Sequence, residues 1–426
     1  MSTLKAVRGT RDLLPPETAL WNRIEATARA VFARYNFGEI RTPVFEDTAL
    51  FARGVGEETD IVSKEMYTWE DRARAQSERT QSLTLRPENT AGVVRAYIEH
   101  QLGETGQLQK LYYIGPQFRR ERPQKGRYRQ FYQIGAEVLG PPSAGSESPL
   151  RDAEILEMLA TLLDELGIAG WTLELNSVGS SADRARYNEA LRAALVPVVG
   201  QMCADCQRRA VTNPLRVLDC KVPADQPIIE TLPVIADSLD EPSQAHFAAV
   251  TAALDAAGVP YTLNHRLVRG LDYYTRTTFE FTHGGLGAQN ALLGGGRYDG
   301  LSEMLGGPKA PGIGFAIGLD RLVLTLLVQE SAVPQMADAF VAPLGESLNA
   351  AALILARELR HQGLWIELGD GSFRLKKSFE AADKTARRIV ILGENELQSG
   401  ILTVKTFSTG VQTKVPRAEL AVFLSS

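Results

Sequence analysis

The chain has 426 residues, more than one hydrophobic core usually organises, so two or three domains are expected. Its 44% apolar and 23% charged residues are typical of a globular protein and exclude a disordered chain. No stretch approaches the roughly 18 apolar residues of a membrane span, the first residues lack the apolar centre of a signal peptide, and a cytoplasmic location is expected. The net charge of −5 shows no basic excess, so any nucleic-acid partner must meet a local basic surface.

The N-terminal half alternates amphipathic helices with short β-rich runs. Proline residues precede the first predicted helix, as suits a helix start. Helices are predicted over residues 17–37, 91–100 and 152–167, and β-rich runs over 39–47, 82–86, 108–115 and 130–140. The last two runs predict an antiparallel pair joined by a long basic loop.

The C-terminal half contains a change of pattern that predicts a domain boundary. Residues 171–262 mix a strand with apolar helical runs and are interpreted as an insertion or a small subdomain. Strand and glycine patterns resume at Leu267, with a turn-like segment at 292–301 and a strand entering a helix at 312–327. Beyond Pro334 strands and helices alternate, which predicts a separate α/β domain. We therefore divide the chain into residues 1–330 and 331–426.

The basic loop is the first candidate for chemistry. Residues 119–129 contain six cations and one acidic residue, Glu121. The cations are Arg119, Arg120, Arg122, Lys125, Arg127 and Arg129. Six like charges repel each other unless an anion or solvent spreads the charge, so a polyphosphate or a nucleic-acid end is a natural counter-ion. The alternative is a solvated hairpin tip.

The strand after this loop has two different faces. With a period of two, Phe131, Gln133, Gly135 and Glu137 share one face, and the opposite face is apolar and suits a core. The glycine between the amide and the carboxylate predicts room for a small polar guest. The alternative is a half-exposed sheet face.

The three cysteines raise the question of a metal site. Cys203 and Cys206 form a Cys-x-x-Cys pair, and Cys220 follows. A tetrahedral zinc site needs a fourth ligand, which His246, His265 or a carboxylate could supply. Because only three thiols are present, we expect the three cysteines to be reduced and not to bind a metal ion.

Several ordered motifs resemble one enzyme family. GPQFRRERPQKGRYRQF is similar to motif 2 of the class II aminoacyl-tRNA synthetases, GIGFAIGLDRL to motif 3, and FGEIRTPVFED, which contains Pro43, to motif 1. LVRGLDYY and GGGRYDGL resemble the signatures of the histidyl-tRNA synthetase family, and TLRPENT departs from the usual pattern only at Asn89. The resemblance covers essentially the whole chain.

The resemblance implies an α+β fold, in which an antiparallel sheet flanked by helices forms the catalytic domain. It also implies a C-terminal α/β anticodon-binding domain and a homodimer formed through motif 1. The implied reaction is ATP-dependent ligation of L-histidine to tRNA(His) through a histidyl-adenylate, with ATP and Mg²⁺ required. The acceptor end of the tRNA should approach the motif 2 loop, and the anticodon the basic residues of the last domain, such as Arg387 and Arg388.

The same resemblance assigns roles to individual residues. Arg119 should contact the α-phosphate of ATP and Arg321 the terminal phosphates, with Glu121 near adenine and Arg127 near the outer phosphates. Arg269 should stabilise the charge that develops as the histidine carboxylate attacks phosphorus. The residues implied for histidine are Glu88, Thr90 and Gln133 at the ammonium group, and Glu137, Tyr273, Tyr274 and Tyr298 at the imidazole.

Two other functions are possible for a chain of this kind. A histidine-sensing regulatory subunit of ATP phosphoribosyltransferase shares the core, but typically lacks the C-terminal domain and the arginines of LVRGLDYY and motif 3, all of which this sequence has. A synthetase for threonine, proline or glycine would have a similar C-terminal domain without LVRGLDYY and GGGRYDGL.

Overall fold

The computed structural model describes residues 3–56, 59, 61–71, 80–124, 126–268, 273–286, 290–329 and 336–425. The chain divides into two compact units, residues 1–332 and 333–426. Among the described residues, no helix combines the length and the apolar character needed to cross a bilayer.

The described residues form fourteen α-helices and sixteen β-strands. The helices are α1 Glu17–Arg34, α2 Thr48–Val55, α3 Thr90–Glu99, α4 Pro149–Glu165, α5 Ser181–Leu195, α6 Ala204–Thr212, α7 Gln226–Thr231, α8 Glu241–Ala257, α9 Leu301–Met304, α10 Leu319–Gln329, α11 Asn349–His361, α12 Leu375–Thr385, α13 Glu394–Ser399 and α14 Leu420–Ser425. The strands are β1 Gly38–Glu39, β2 Phe45–Asp47, β3 Tyr67–Asp71, β4 Gln81–Leu85, β5 Gln109–Phe118, β6 Gln130–Leu139, β7 Trp171–Ser177, β8 Thr262–Leu263, β9 Thr275–His283, β10 Ala291–Arg297, β11 Gly312–Gly318, β12 Ala339–Pro343, β13 Ile366–Leu368, β14 Arg388–Leu392, β15 Ile401–Thr406 and β16 Gln412–Pro416.

An eight-stranded sheet is the centre of the first unit, with strand order β1-β5-β6-β11-β10-β9-β7-β8. Its inner strands are antiparallel, and only the short edge strands β1 and β8 pair in parallel. The predicted hairpin is confirmed, because β5 and β6 pair over ten residues from Gln109–Leu139 to Phe118–Gln130. The α+β architecture implied by the motifs is therefore present.

The apolar face of β6 lies in the main core, as its alternation predicts. Ile134, Ala136 and Val138 are buried among residues of α1, α4 and α10, which cover that face of the sheet. The helix α4 begins at Pro149, earlier than the predicted start at Asp152, with the Ser148 side chain accepting a hydrogen bond from the backbone N–H of Leu150 at 3.3 Å. This packing leaves the opposite face of β6 available for a site.

The segment 292–301, predicted as turn-like, is instead mostly strand β10 in the middle of the sheet. Its glycines are explained by close packing. A Cβ on Gly295 would lie 2.1 Å from the carbonyl oxygen of Gly314, and one on Gly296 would lie 2.9 Å from the ring of Tyr274. The glycines therefore allow a strand and an aromatic ring to approach the backbone.

The first and last residues of the segment 171–262 belong to strands of the main sheet, β7 and β8. Strand β7 pairs with β9 over seven residues, and α8 packs on α4. Between β7 and α8, the helices α5, α6 and α7 have their own apolar side chains, and these join one cluster with Tyr273, Tyr274 and Tyr298. The insertion is thus continuous with the packing around those tyrosines.

The second unit is an α/β domain, as its alternation predicts. Its five-stranded sheet has the order β13-β12-β14-β15-β16, with parallel pairs at β12 and antiparallel pairs beyond β14. Helix α11 packs on β12 and β13, and α12 packs on β12 and β14. Buried Val390 and Val404 belong to the core that α11 and α14 complete.

Candidate active site

A cavity of about 350 Å³ lies on the polar face of the main sheet, over β6, β11 and β10. The strand register sets its direction. Gln133 pairs with Gly318 and Glu137 pairs with Gly314, four residues further along β6. At about 3.4 Å per residue these two positions are about 14 Å apart, so the site has two ends with different side chains.

A fully buried carboxylate marks the first end of the cavity. Glu137 accepts hydrogen bonds from the hydroxyls of Thr90 and Tyr298, each at 2.7 Å, and a longer one from Tyr113 at 3.4 Å. Burial raises the pKa of Glu137 to about 8, although the three hydroxyl groups act in the opposite direction. Two tyrosine rings of the cavity wall pack edge to face, with the Tyr273 and Tyr298 centroids 5.9 Å apart.

A second carboxylate lies near the start of α3. Glu88 accepts the backbone N–H groups of Thr90 at 2.7 Å and Ala91 at 3.0 Å, and burial raises its pKa above the ordinary range. The helix N-terminus is a favourable place for a negative charge. Asn89, the departure from the usual motif, instead accepts a hydrogen bond from the Thr42 hydroxyl at 3.0 Å.

Gln133 contributes an acceptor that its protein neighbours do not use. Its side-chain oxygen is buried and has no hydrogen-bond partner among the described residues. An unpaired buried oxygen costs about 1–3 kcal/mol, so such an atom on a cavity wall indicates a donor supplied by a guest.

Guanidinium groups surround the second end of the cavity. Arg119 donates from Nε to the Pro87 carbonyl at 2.9 Å, and its guanidinium carbon lies 5.2 Å from the centroid of the Phe131 ring. Arg321 donates to the Ala291 carbonyl oxygen at 2.6 Å. Arg127 pairs with Glu121 at 3.1 Å. Each of these arginines lines the same cavity.

The basic loop is therefore not simply a solvated tip. Arg119 and Arg127 line the cavity, whereas the Arg120 guanidinium lies 5.9 Å from the centroid of the Tyr67 ring. Arg129 donates to the carbonyl oxygen of Arg8 at 3.2 Å. Lys125 lies outside the described residues.

Close packing by glycine makes the buried carboxylate possible. A Cβ on Gly314 would lie 1.7 Å from Oε2 of Glu137, so only glycine fits opposite that carboxylate. The space predicted beside Gly135 is not open to a guest, because a Cβ there would lie 2.3 Å from the Tyr113 hydroxyl. Tyr113 fills the gap and extends toward Glu137.

Most of the predicted site residues come together in this cavity. Those that line it are Glu88, Thr90, Arg119, Glu121, Arg127, Gln133, Glu137, Tyr273, Tyr274, Tyr298 and Arg321. Arg269 lies outside the described residues. The sequence analysis missed Tyr113 and Glu280, which also line the cavity. The alternation of β5 could have placed Tyr113 on a face of the sheet, but not over Gly135.

Comparison with known proteins decides the family. The family model described as histidyl-tRNA synthetase matches residues 9–322, and that described as anticodon binding domain matches residues 338–426. The chain belongs to the histidyl-tRNA synthetase family. It is 73% identical over 422 residues to a histidine–tRNA ligase of Koribacter versatilis, covering 99% of this chain and 96% of that protein. A histidine–tRNA ligase of Solibacter usitatus is 56% identical over 425 residues, covering 99% of both.

Solved structures agree with this family. The structure of apo histidyl-tRNA synthetase from S. aureus matches with a TM-score of 0.79 and 38% identity over the full length of both chains. A Bacillus halodurans structure titled as an ATP phosphoribosyltransferase regulatory subunit/histidyl-tRNA synthetase matches with a TM-score of 0.66 at 19% identity, covering 92% of this chain and 99% of that one. At that identity the second likeness shows the fold alone.

Proposed function

We propose that this chain activates L-histidine with ATP and transfers the histidyl group to tRNA(His). A histidine carboxylate oxygen attacks the α-phosphorus of ATP, and the bond to pyrophosphate breaks. The resulting histidyl-adenylate is then attacked at its carbonyl carbon by a hydroxyl of the terminal tRNA ribose, the hydroxyl proton is released, and AMP leaves as the ester bond forms. The protein is a histidine–tRNA ligase in this scheme.

One observation supports the scheme above others: a single cavity holds a buried carboxylate at one end and several guanidinium groups at the other. A cavity of about 350 Å³ is at the small end of the size range of ligand pockets. Adenylate formation requires little proton transfer, so positioning and charge stabilisation are the main contributions that the protein can make to that step.

The arginine end suits ATP. We propose that Arg119 binds the α-phosphate, Arg321 the terminal phosphates and Arg127 the outer phosphates. A guanidinium stays charged and offers paired donors to phosphate oxygens. The contacts of Arg119 with Pro87 and Phe131 hold its guanidinium before ATP arrives. Glu121 would lie near adenine, and its ion pair with Arg127 would rearrange when phosphate competes for that arginine.

The carboxylate end suits histidine. We propose that Glu137 binds the imidazole, with Tyr273, Tyr274 and Tyr298 around the ring. Imidazole has two ring nitrogens, and a carboxylate facing a phenol can satisfy both. At the other side of the amino acid, Glu88, Thr90 and Gln133 would hold the ammonium group. The unpartnered Gln133 oxygen fits this assignment, since an ammonium group is a donor.

Arg269 is proposed to stabilise the transition state of adenylate formation. Replacing it with alanine should leave histidine binding within a few-fold and reduce adenylate formation by about 10²-fold or more. Arg266→Ala is a matched control, because Arg266 is three residues away and donates to the carbonyl oxygen of Glu230 at 2.6 Å. A wild-type rate of histidine-dependent pyrophosphate exchange in Arg269→Ala would refute the assignment.

Mg²⁺ is proposed to accompany ATP. The ion is usually bound by one or two carboxylates together with phosphate oxygens, and Glu280 supplies a carboxylate to the cavity wall. The bound ion would offset phosphate charge that the arginines leave uncompensated.

The C-terminal unit is proposed to bind the anticodon of the tRNA. Arg387 is exposed and lies 3.7 Å from Asp338, so it can turn toward a phosphate. Arg388 is a weaker candidate, because it donates to the Leu424 carbonyl oxygen at 2.8 Å and lies 5.6 Å from the centroid of the Phe423 ring. The acceptor end of the tRNA would meet the loop between β5 and β6.

A homodimer acting in the cytoplasm is also proposed. The motif 1 segment includes β2, which lies in the small sheet β2-β4-β3. Phe45 and Trp69 are exposed on this sheet with ring centroids 6.1 Å apart, and a second copy would cover them. Light scattering should give twice the chain mass, and Phe45→Asp should lower it; a monomeric wild type would refute the dimer.

The decisive test of the function is pyrophosphate exchange with each amino acid in turn. Exchange should depend on histidine and not on threonine, proline or glycine. A threonine or proline response would indicate another synthetase. Histidine binding without any exchange would indicate a histidine-sensing regulatory subunit instead.

A further inference from the structure

The three cysteines converge with one aspartate in the insertion, away from the site described above. The sulfur atoms of Cys203, Cys206 and Cys220 and a carboxylate oxygen of Asp225 all lie within 4.8 Å of one another. All but Cys203 are buried, and Cys203 is half-buried. The three cysteines are not joined by disulfides. The sequence contains no other cysteine, so every thiol of the chain meets at this point.

The distances match those between the ligands of a tetrahedral metal ion. The Cys203 and Cys220 sulfur atoms are 3.9 Å apart, and the Cys220 sulfur lies 3.2 Å from Oδ2 of Asp225. Zinc bound at about 2.3 Å from sulfur requires about 3.8 Å between neighbouring sulfur atoms. A disulfide would instead bring two sulfur atoms to about 2.05 Å.

Backbone donors already orient two of these groups. The N–H of Cys203 donates to Oδ1 of Asp225 at 3.1 Å and to Oδ2 at 3.2 Å, and the N–H of Val222 donates to the Cys220 sulfur at 3.4 Å. Such hydrogen bonds fix ligand orientation around metal ions in proteins. They leave the Asp225 carboxylate directed at the thiol cluster.

We propose that Cys203, Cys206, Cys220 and Asp225 bind one structural zinc ion. This departs from the expectation of no metal, which rested on the missing fourth ligand, and Asp225 supplies that ligand. His246 is used elsewhere, since its Nε2 lies 2.8 Å from the buried carboxylate of Asp152. Thiolate ligands favour zinc over magnesium or calcium, and four protein ligands leave no open position for catalysis.

The surrounding segment explains what the ion would do. Cys203 and Cys206 flank the start of α6, which has nine residues, and Cys220 and Asp225 lie before α7, which has six. Elements this short have little stability of their own. The metal would cross-link the two stretches, and Cys206 and Cys220 lie in the same apolar cluster as Tyr273 and Tyr298. The ion would thus stabilise packing behind the candidate histidine site.

The first test measures metal content. The full-length protein is produced in zinc-supplemented medium and dialysed against metal-free buffer. Inductively coupled plasma mass spectrometry should then find about one zinc per chain. Cys206→Ser should lose it. Asp225→Asn should release zinc to a chromogenic chelator faster than wild type, whereas Asp205→Asn should behave as wild type, because Asp205 is an exposed carboxylate on α6. Wild-type protein with no retained zinc would overturn the proposal.

The second test uses wild-type protein, so its result does not depend on whether a substituted variant folds. Wild-type protein stripped of metal and refilled with Co²⁺ should show the intense visible bands of tetrahedral cobalt and the ultraviolet band of cobalt–thiolate charge transfer. Added Zn²⁺ should remove both and protect the three thiols from a thiol reagent. Cobalt spectra without a thiolate band, or thiols equally reactive with and without zinc, would place any bound metal elsewhere and overturn the proposal.

Discussion

Replacing Glu137 with glutamine should make the ligand-free protein more stable at alkaline pH relative to wild type. The pKa of Glu137 is raised from an ordinary 4.5 to about 8. Between pH 4.5 and about pH 8, Glu137 keeps its proton in the folded protein but has released it in the unfolded chain. The free energy of unfolding of wild type therefore falls as the pH rises through this range. From pH 5.5 to pH 8, this single group should remove about 3 kcal/mol of unfolding free energy.

Thermal unfolding can detect an effect of this size. Residues 1–332 form the unit that contains Glu137, and at about 2.1 cal/mol/K per residue the 3 kcal/mol corresponds to about 4 °C in Tm. Glutamine cannot ionise, so the Tm difference between variant and wild type should grow by that amount from pH 5.5 to pH 8. Contributions of ionisable groups that do not interact with Glu137 cancel in this difference.

An exposed carboxylate provides the control for this experiment. Glu189→Gln makes the same chemical change at an exposed position on α5, and its Tm difference from wild type is the reference against which the Glu137→Gln difference is compared at each pH. If the Glu137→Gln difference is constant across this range, Glu137 ionises normally in the folded protein and the reasoning fails.

Three further predictions concern activity. Gly314→Ala should abolish histidine-dependent pyrophosphate exchange, because its Cβ would displace Glu137, whereas Gly300→Ala, which has open space, should be near wild type; equal activities would contradict the packing argument. Arg119→Lys keeps the charge but loses the paired donors, so it should lower kcat/KM for ATP by about tenfold or more with histidine affinity unchanged, as equilibrium binding can verify. Deleting residues 331–426 should weaken aminoacylation more than pyrophosphate exchange, and equal losses would imply that the truncation damages the catalytic unit.

The sequence predicted the elements whose periodicity is local. The hairpin of β5 and β6 and the two faces of β6 follow from alternation, and most of α4 follows from its apolar run, although its first turn at Pro149 was assigned to the preceding turn-rich segment. Of the candidate site residues, those that match the family motifs line one cavity, apart from Arg269, which lies outside the described residues.

The features that the sequence did not predict depend on contacts between distant strands. In the sequence, Gly295 and Gly296 have the pattern of a turn. In the sheet, their lack of a side chain allows the backbone of β11 and the ring of Tyr274 to pack against them. Tyr113 could not be placed over Gly135 without the register that pairs them. Asp225 was not identified as a neighbour of the cysteines because no regular spacing relates an aspartate to a Cys-x-x-Cys pair.

Burial explains both the proposed selectivity for histidine and the instability predicted for the free site. Glu137 is fully buried beside the hydroxyls of Tyr298 and Tyr113, and it fits against the backbone of β11 because Gly314 has no side chain. A guest without a hydrogen-bonding ring would leave this desolvated carboxyl group with only its hydroxyl donors from the protein, which disfavours its charged form. An imidazole ring can share a proton with the Glu137 carboxyl group. Bound histidine would therefore offset the desolvation of that group in the empty site. Selectivity of this kind needs no editing step, because it depends on rejecting apolar guests at a buried polar group.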